Sequence, residues 1–411
     1  MTTAQVFPAN IGLPKEADLY KWCVIAADQF SASPAYWREV EQIVGSAPST
    51  LRMIVPEVYL AIENEEELQA RVKAAHVAMH EYLDSHIEVV ENAVIYTERA
   101  TPYVKKRRSL VLALDLETYS YTGQEVDARA SEATVLERIP AREAVRRGAA
   151  LELPHVQVLY DDPDFEVQKL IDPTTLSPLY STDLMQEGGS VKGWHIPGDS
   201  QLWASIKSVL DGLEQRHGFR FIVGDGNHSL AAAKSHWEHL KPTLSASELA
   251  NHPARFALVE LINVHDDGLV MEPIHRLLRG ISAQQLLDAA DKWNENHDGE
   301  VVAIDLLTAS GRDTLKLVQP GALVVEPVQE LIDQLISDLG LDPAHACEYI
   351  HGEDELARLV NEENALGIDL PALDRSSLFE YVAKQGAMPR KSFSLGEANE
   401  KRYYLETRQI S

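Results

Sequence analysis

Strand-like and helix-like segments alternate along the whole of this chain, and that alternation predicts an α/β protein. Two observations sharpen the expectation. The nearly unbroken apolar run Phe256–Val264 reads as a strand covered on both faces. The segment FRFIVGDGNHSLAAAKSHWEHL reads as strand, tight turn and helix in one stretch.

The elements follow in order. Ser33-Pro34 offers an N-cap with proline at the first helical position, and Trp37, Val40, Ile43 and Val44 supply an apolar face before Gly45 stops the helix. A second helix starts at Asn64, where Glu67 completes a capping box and Leu68, Val72, Ala75, Met79 and Leu83 recur at helical spacing. Strands are expected at Ala93–Thr97, Leu110–Leu116, His155–Tyr160, Phe219–Val223 and Phe256–Val264. Residues 163–200, richer in Pro, Gly, Ser and Thr, are expected to wrap the surface. From Ile281, with SAQQLLDAADKW as its first helix, a smaller α/β unit is expected. The division is therefore a core over 1–280 and a C-terminal α/β region over 281–411, whose last segment, 386–411, returns to the core.

Composition limits the function. The 411 residues carry 37 Lys+Arg against 64 Asp+Glu, a net charge of −27. Such a chain is a poor partner for nucleic acid, whose binding depends on Lys and Arg displacing counterions. Anionic membranes are disfavoured for the same reason. Small anions are not, because a few cations in a cleft can oppose the overall field. Cys23 and Cys347 are too few for a disulfide framework or a thiolate zinc site. The opening residues show no signal-like pattern and no stretch is apolar enough to span a bilayer, so a cytoplasmic location is expected. Homo-oligomerisation is compatible with all of this.

The GDGN turn carries the most chemistry. Gly224 and Gly226 allow backbone conformations closed to other residues. Asn227 or Ser229 can cap a helix running from Leu230, and the turn aims backbone N–H groups at one spot that favours an anion. Asp225 could there hold a metal ion or accept a proton, and His228 could donate to phosphate. An ordinary strand-to-helix turn, with Asp225 and Asn227 as turn and cap residues, fits the same pattern. The Walker pattern G-x-x-x-x-G-K-S/T is absent. The dinucleotide fingerprint lacks its third glycine at Ser229, which disfavours a nicotinamide dehydrogenase.

The GDGNHSLAAAK segment resembles the D-G-H/N-H-R/S turn of the bacterial and archaeal family called domain of unknown function 1015. Similar segments follow that family's order along the chain: WCVIAADQFSASPAYW, ATVLERIPAR, HPARFALVELINVHDDGLVMEPIHR and GAMPRKSF. The D-G-H-H-R form of the turn is shared with the ParB/sulfiredoxin-like fold and with free-serine kinases built on it. The resemblance implies a ParB/sulfiredoxin-like mixed-sheet core. It also implies a phosphotransferase interconverting L-serine and O-phospho-L-serine with ATP/ADP or pyrophosphate as co-substrate and Mg²⁺. Asp225 and His228 match the positions that handle metal, phosphate and proton. Asn227 replaces the commoner first histidine and Ser229 the arginine, so a bidentate phosphate contact is lost and another cation must serve.

Candidates for that cationic cover are His275 and Arg276 in EPIHR, Lys391 in MPRKSF, and Arg138 with Arg142 across a proline. Each has a plain alternative: Arg276 paired with Glu272, Lys391 solvated, and Arg138 and Arg142 paired with Glu137 and Glu143. Asp28, just past the apolar VIAA strand, is the first choice for the base on the serine hydroxyl, and Glu57 the second. His236 and His239 are read as a solvated helix face. The run Lys105–Arg108 is read as a solvated hairpin turn. A kinase on this acidic chain requires His228, His275, Arg276 and Lys391 to converge on the turn. A nucleotide-binding switch without turnover and a phosphoserine hydrolase are the rival readings.

Overall fold

The computed structural model describes residues 6–26, 33–122 and 126–411. It divides into two units, one of Met1–Leu269 with Ala398–Ser411 and the other of Val270–Glu397, where the sequence places divisions near 280 and 386. The mixed α/β architecture expected from the alternation is present.

The first unit is built on an 11-stranded sheet. Its strands are β1 (Val6–Phe7), β2 (Ala9–Pro14), β3 (Ile87–Ala100), β4 (Arg107–Asp115), β5 (Tyr119–Ser120), β6 (Ala128–Ala130), β7 (Gln157–Tyr160), β8 (Ser177–Leu184), β9 (Gly189–Pro197), β10 (Phe221–Asp225) and β11 (Phe256–Asn263). The order is β8-β9-β3-β4-β11-β7-β10-β6-β5, with β1 beside β4 and β2 beside β3. Pairing is antiparallel from β8 to β11, then β11 runs parallel to β7 and β10 parallel to β6, so the sheet is mixed.

Period-two alternation puts a core on each face of this sheet. Leu110, Leu112 and Leu114 of β4 join Val259 and Leu261 on one side. Val111 and Ala113 join Leu258 on the other, under Trp37 and Val40. Helix α1 (Pro34–Val44) buries Trp37, Val40 and Val44 and ends at Gly45. Helix α2 (Glu65–Ser85) carries the expected reciprocal cap, with Glu67 N–H on Asn64 Oδ1 at 3.1 Å and Asn64 N–H on Glu67 Oε2 at 3.0 Å.

Two expectations need correction. Residues 163–200 do not simply wrap the surface: β8 and β9 form a hairpin that extends the sheet, because Tyr180, Leu184 and Ile196 bury against it. The Lys105–Arg108 run is a solvated hairpin turn only in its first half, where Lys105 and Lys106 are exposed. Arg107 begins β4 and is 2% exposed, while Arg108 bonds Asp266 at 2.7 Å.

The second unit has a six-stranded antiparallel sheet of β12 (Met271–Leu278), β13 (Glu300–Thr308), β14 (Gly311–Gln319), β15 (Cys347–His351), β16 (Leu366–Asp369) and β17 (Phe393–Leu395). Helix α6 (Ala283–Asn296) starts from a Ser282–Gln285 capping box. Leu277, Leu307, Ile350, Leu356 and Val360 form a compact apolar cluster within it. No helix among the described residues is long and apolar enough to cross a membrane.

Candidate functional site

The GDGN turn joins β10 to helix α4, here the 14-residue helix Asn227–Leu240. β10 lies between β6 and β7, and its pairing with β7 slips between Val223 and Asp225. Gly224 is the extra residue, and such a bulge re-aims the side chain that follows it. Gly226 then takes φ 81°, ψ 24°, and a Cβ there would stand 3.0 Å from the Val156 Cα, so glycine is required on both counts. Gly224 is not among the left-handed glycines, so the freedom expected of both is used by Gly226 alone.

The helix begins earlier than the sequence suggests. Leu230 N–H bonds the Gly226 carbonyl at 3.0 Å, and neither Asn227 nor Ser229 caps the helix. Asn227 instead donates to Ser131 Oγ at 3.3 Å, and its Oδ1 is buried without a partner among the described residues. The first-turn N–H groups of Asn227, His228 and Ser229 have no intrahelical acceptor, and the helix dipole makes their position attractive to an anion. His228 Nε2 accepts the Val135 N–H at 3.2 Å. In the neutral ring the proton therefore sits on Nδ1. Val135 belongs to the ATVLERIPAR segment, so two segments that carry the family resemblance meet here.

Asp225 is held from both sides. Its Oδ1 accepts the Gly226 N–H at 2.8 Å and its Oδ2 the Lys401 ammonium at 2.9 Å. Burial works against ionisation of this carboxyl, but Lys401 and the Gly226 N–H outweigh it and hold it below the ordinary aspartate range. Lys401 is 4% exposed, and sequence reasoning missed it. The available signal was Lys401-Arg402, a basic pair in the final segment of an acidic chain.

Buried arginines fix the backbone that carries Lys401. Arg99 donates to the carbonyls of Lys401 at 2.6 Å and Asn399 at 3.1 Å, and Arg107 to that of Glu400 at 3.4 Å. Burial pushes the Arg99 guanidinium down to about 9, with Arg107 adding repulsion. Arg402 bonds the Pro154 carbonyl at 3.1 Å and faces Glu260 at 3.6 Å. Burial would raise the Glu260 carboxyl, but Arg402 and Arg107 pull it down to about 2.

Beside the turn lies a cavity of about 210 Å³, lined by Ser229, Leu230, Ala232 and Ala233 of α4 together with Met53, Met79, Arg142, His155, Tyr404, the Arg146–Glu152 ion pair and further apolar residues. His155 and Tyr404 meet edge to face, with ring centroids 5.3 Å apart. Arg142 reaches the cavity but bonds the carbonyl of Arg138 at 3.2 Å, and Arg138 itself is exposed, so the two do not form a clamp. His239 bonds Glu143 at 2.7 Å.

The remaining candidates belong to the second unit. Arg276 is 0% exposed, with its guanidinium on the carbonyl of Ile274 at 2.6 Å, Gln329 at 2.9 Å and the carbonyl of Lys391 at 3.1 Å. That is a structural arginine holding strand β12 to the turn before β17. His275 is buried, its Nδ1 3.0 Å from Asp369 and accepting the Leu370 N–H at 3.1 Å. Lys391 enters through its backbone, at φ 58°. Of the four cationic groups expected at the turn, His228 belongs to it, while His275, Arg276 and Lys391 lie in the second unit with the partners just given; within the first unit the cation paired with Asp225 is Lys401. Asp28 and the side chain of Glu57 lie outside the described residues.

The magnesium role implied for Asp225 does not fit this geometry. An ammonium already neutralises this carboxylate and would repel a second cation, and no group of three or more His, Cys, Asp or Glu among the described residues could hold a metal ion.

The family described as a protein of unknown function, DUF1015, matches residues 9–376. The chain belongs to the DUF1015 family. Among solved structures, this DUF1015 chain resembles a conserved hypothetical protein from Pyrococcus furiosus at 10% identity, with 72% of this chain and 90% of that one covered and a TM-score of 0.34. A free serine kinase in complex with AMP resembles it at 10% identity, over 73% of this chain and 92% of its own, with a TM-score of 0.37. C-terminally truncated SbnI from Staphylococcus aureus resembles it at 10% identity, over 69% and 80%, with a TM-score of 0.32. At TM-scores this low the likenesses carry no argument about chemistry. No curated protein matches the chain.

Proposed function

We propose that this DUF1015 protein is a phosphotransferase that interconverts L-serine and O-phospho-L-serine with a nucleotide or pyrophosphate partner. One observation carries the reading: the Asp225–Lys401 pair stands at the start of a helix whose first N–H groups no side chain caps, with His228 in its first turn. Backbone donors, a helix dipole and a buried lysine together suit the oxygens of a transferring phosphoryl group. A carboxylate held below its ordinary range is a weak base, so Asp225 orients and neutralises while Asp28 is assigned the proton transfer.

In the kinase direction the bond from phosphorus to the donor's bridging oxygen breaks as one to the serine Oγ forms. The hydroxyl proton passes to Asp28, and the departing oxygen takes its charge into the cationic end of the turn. The neutral His228 donates from Nδ1 to a phosphate oxygen. The neighbouring cavity is assigned to the nucleobase, whose flat face suits the His155 and Tyr404 rings.

The test supplies the protein with phosphoserine plus Mg²⁺ and, in turn, ADP, inorganic phosphate or water alone, and assays free serine. Serine release with ADP or phosphate supports the reading. Asp225→Asn or His228→Ala is expected to lower the rate by about 10²-fold or more. Release with water alone would make it a hydrolase, nucleotide binding without release a switch, and variants as active as the parent would remove the site assignment.

A further inference from the structure

The charge a phosphate ligand demands and the metal role implied for Asp225 meet at one carboxylate, where the geometry separates them. A divalent ion on a remaining lone pair of Asp225 would stand within a few ångströms of the Lys401 ammonium, which lies 2.9 Å from Oδ2, and the two cations would repel. Lys401 is not placed to yield. Its own carbonyl and the two before it are gripped by Arg99 and Arg107, and it is 4% exposed. Meanwhile the helix start lacks a cation of its own, since Ser229 stands where the commoner turn carries arginine.

We propose that Lys401 is the positioning cation of this site: Asp225 holds it at the start of α4, and it takes the part of both the missing arginine and an Asp225-bound metal ion. The inference rests on the phosphotransferase reading and states how the same turn manages charge. A lysine offers a compact point charge rather than a bidentate fork, so the backbone N–H groups must supply the directional contacts. Asp225 is then the holder of a lysine, and a phosphomonoester seats at the turn without a divalent ion bound to the protein. A nucleotide donor arriving with its own Mg²⁺ is a separate matter.

The experiment is calorimetric titration of the full chain with O-phospho-L-serine, in EDTA and in Mg²⁺. Wild type is expected to bind equally in both. Lys401→Met is expected to weaken binding in EDTA by about tenfold. Added Mg²⁺ should recover part of that loss, because the freed Asp225 can then take a metal ion. A merely structural lysine would not create such metal dependence. Lys401→Arg guards against misfolding and is expected to bind within about threefold of wild type. Wild-type binding that vanishes in EDTA, or a folded Lys401→Met that binds as wild type does, would overturn the inference and leave the phosphotransferase reading standing. Wild type that binds phosphoserine in neither buffer would overturn both.

Discussion

One cluster of charges in each unit shows two different uses of charge. In the first unit, Arg99, Arg107, Arg402, Glu260, Glu406 and Lys401 are all at most 4% exposed apart from Arg402 at 8%, and their charged ends meet one another, backbone carbonyls or, for Lys401, Asp225. In the second, Arg279 with Glu348 and Glu363, Arg312 with Asp305 and Glu353, and Arg358 with Glu355 and Glu362 lie at the surface. Buried pairs repay their desolvation only when the geometry is complete, so they specify an arrangement more than they add stability. Exposed pairs are screened and add little. The contrast teaches that part of the scarce positive charge of this acidic chain is buried where it fixes the final segment beside Asp225.

Breaking the buried side should cost most. Arg402→Ala leaves Glu406 buried without its cation and Glu260 with Arg107 alone, and is expected to destabilise the chain by about 3–5 kcal/mol, read from urea unfolding. Leu277→Ala, in the apolar cluster of the second unit, removes packing instead of charge. It should cost about 2–4 kcal/mol in the same assay, and a larger loss than for Arg402→Ala would reverse the contrast.

Acid sharpens the comparison. Glu260 is lowered from its ordinary 4.5 to about 2, so its stabilisation is fully present above 4.5 and is lost as the pH falls towards 2. Unfolding followed from pH 5 to pH 2 should show that loss in wild type, and Glu260→Gln should flatten it. The smallest effect is expected at the surface. Arg279→Ala should cost about 1 kcal/mol or less, and a loss as large as that of Arg402→Ala would show that exposed pairs matter equally.

What the sequence made legible was local. The Asn64 capping box, the continuous apolar strand at 256–263 and the strand–turn–helix around Gly226 are written in neighbouring residues, and each formed. Lys401 was not legible because nothing near it in sequence marks it as the partner of a carboxylate in β10, far earlier in the chain. Arg107 misled for a related reason: a basic run in a loop-like context reads as solvated unless the carbonyls it serves are known. Arg276 looked available for phosphate, yet its partners are the backbone and Gln329, which no spacing announces. Local patterning records the elements, whereas the site depends on which distant segment fills the last gap.

The second unit also bears on how that gap is closed. Its first and last strands pair, Met271 opposite Leu395, and Gly396 N–H bonds the Val270 carbonyl at 2.9 Å, so the two ends of this long excursion are brought side by side. Once folded, it turns a loop of costly closure into a clasp, and the chain after Glu397 starts out beside the place where Leu269 left off. The lysine at Asp225 thus follows an entire unit along the chain. A destabilised second unit should be felt at the turn through this tether alone, without any of its residues having to touch the ligand.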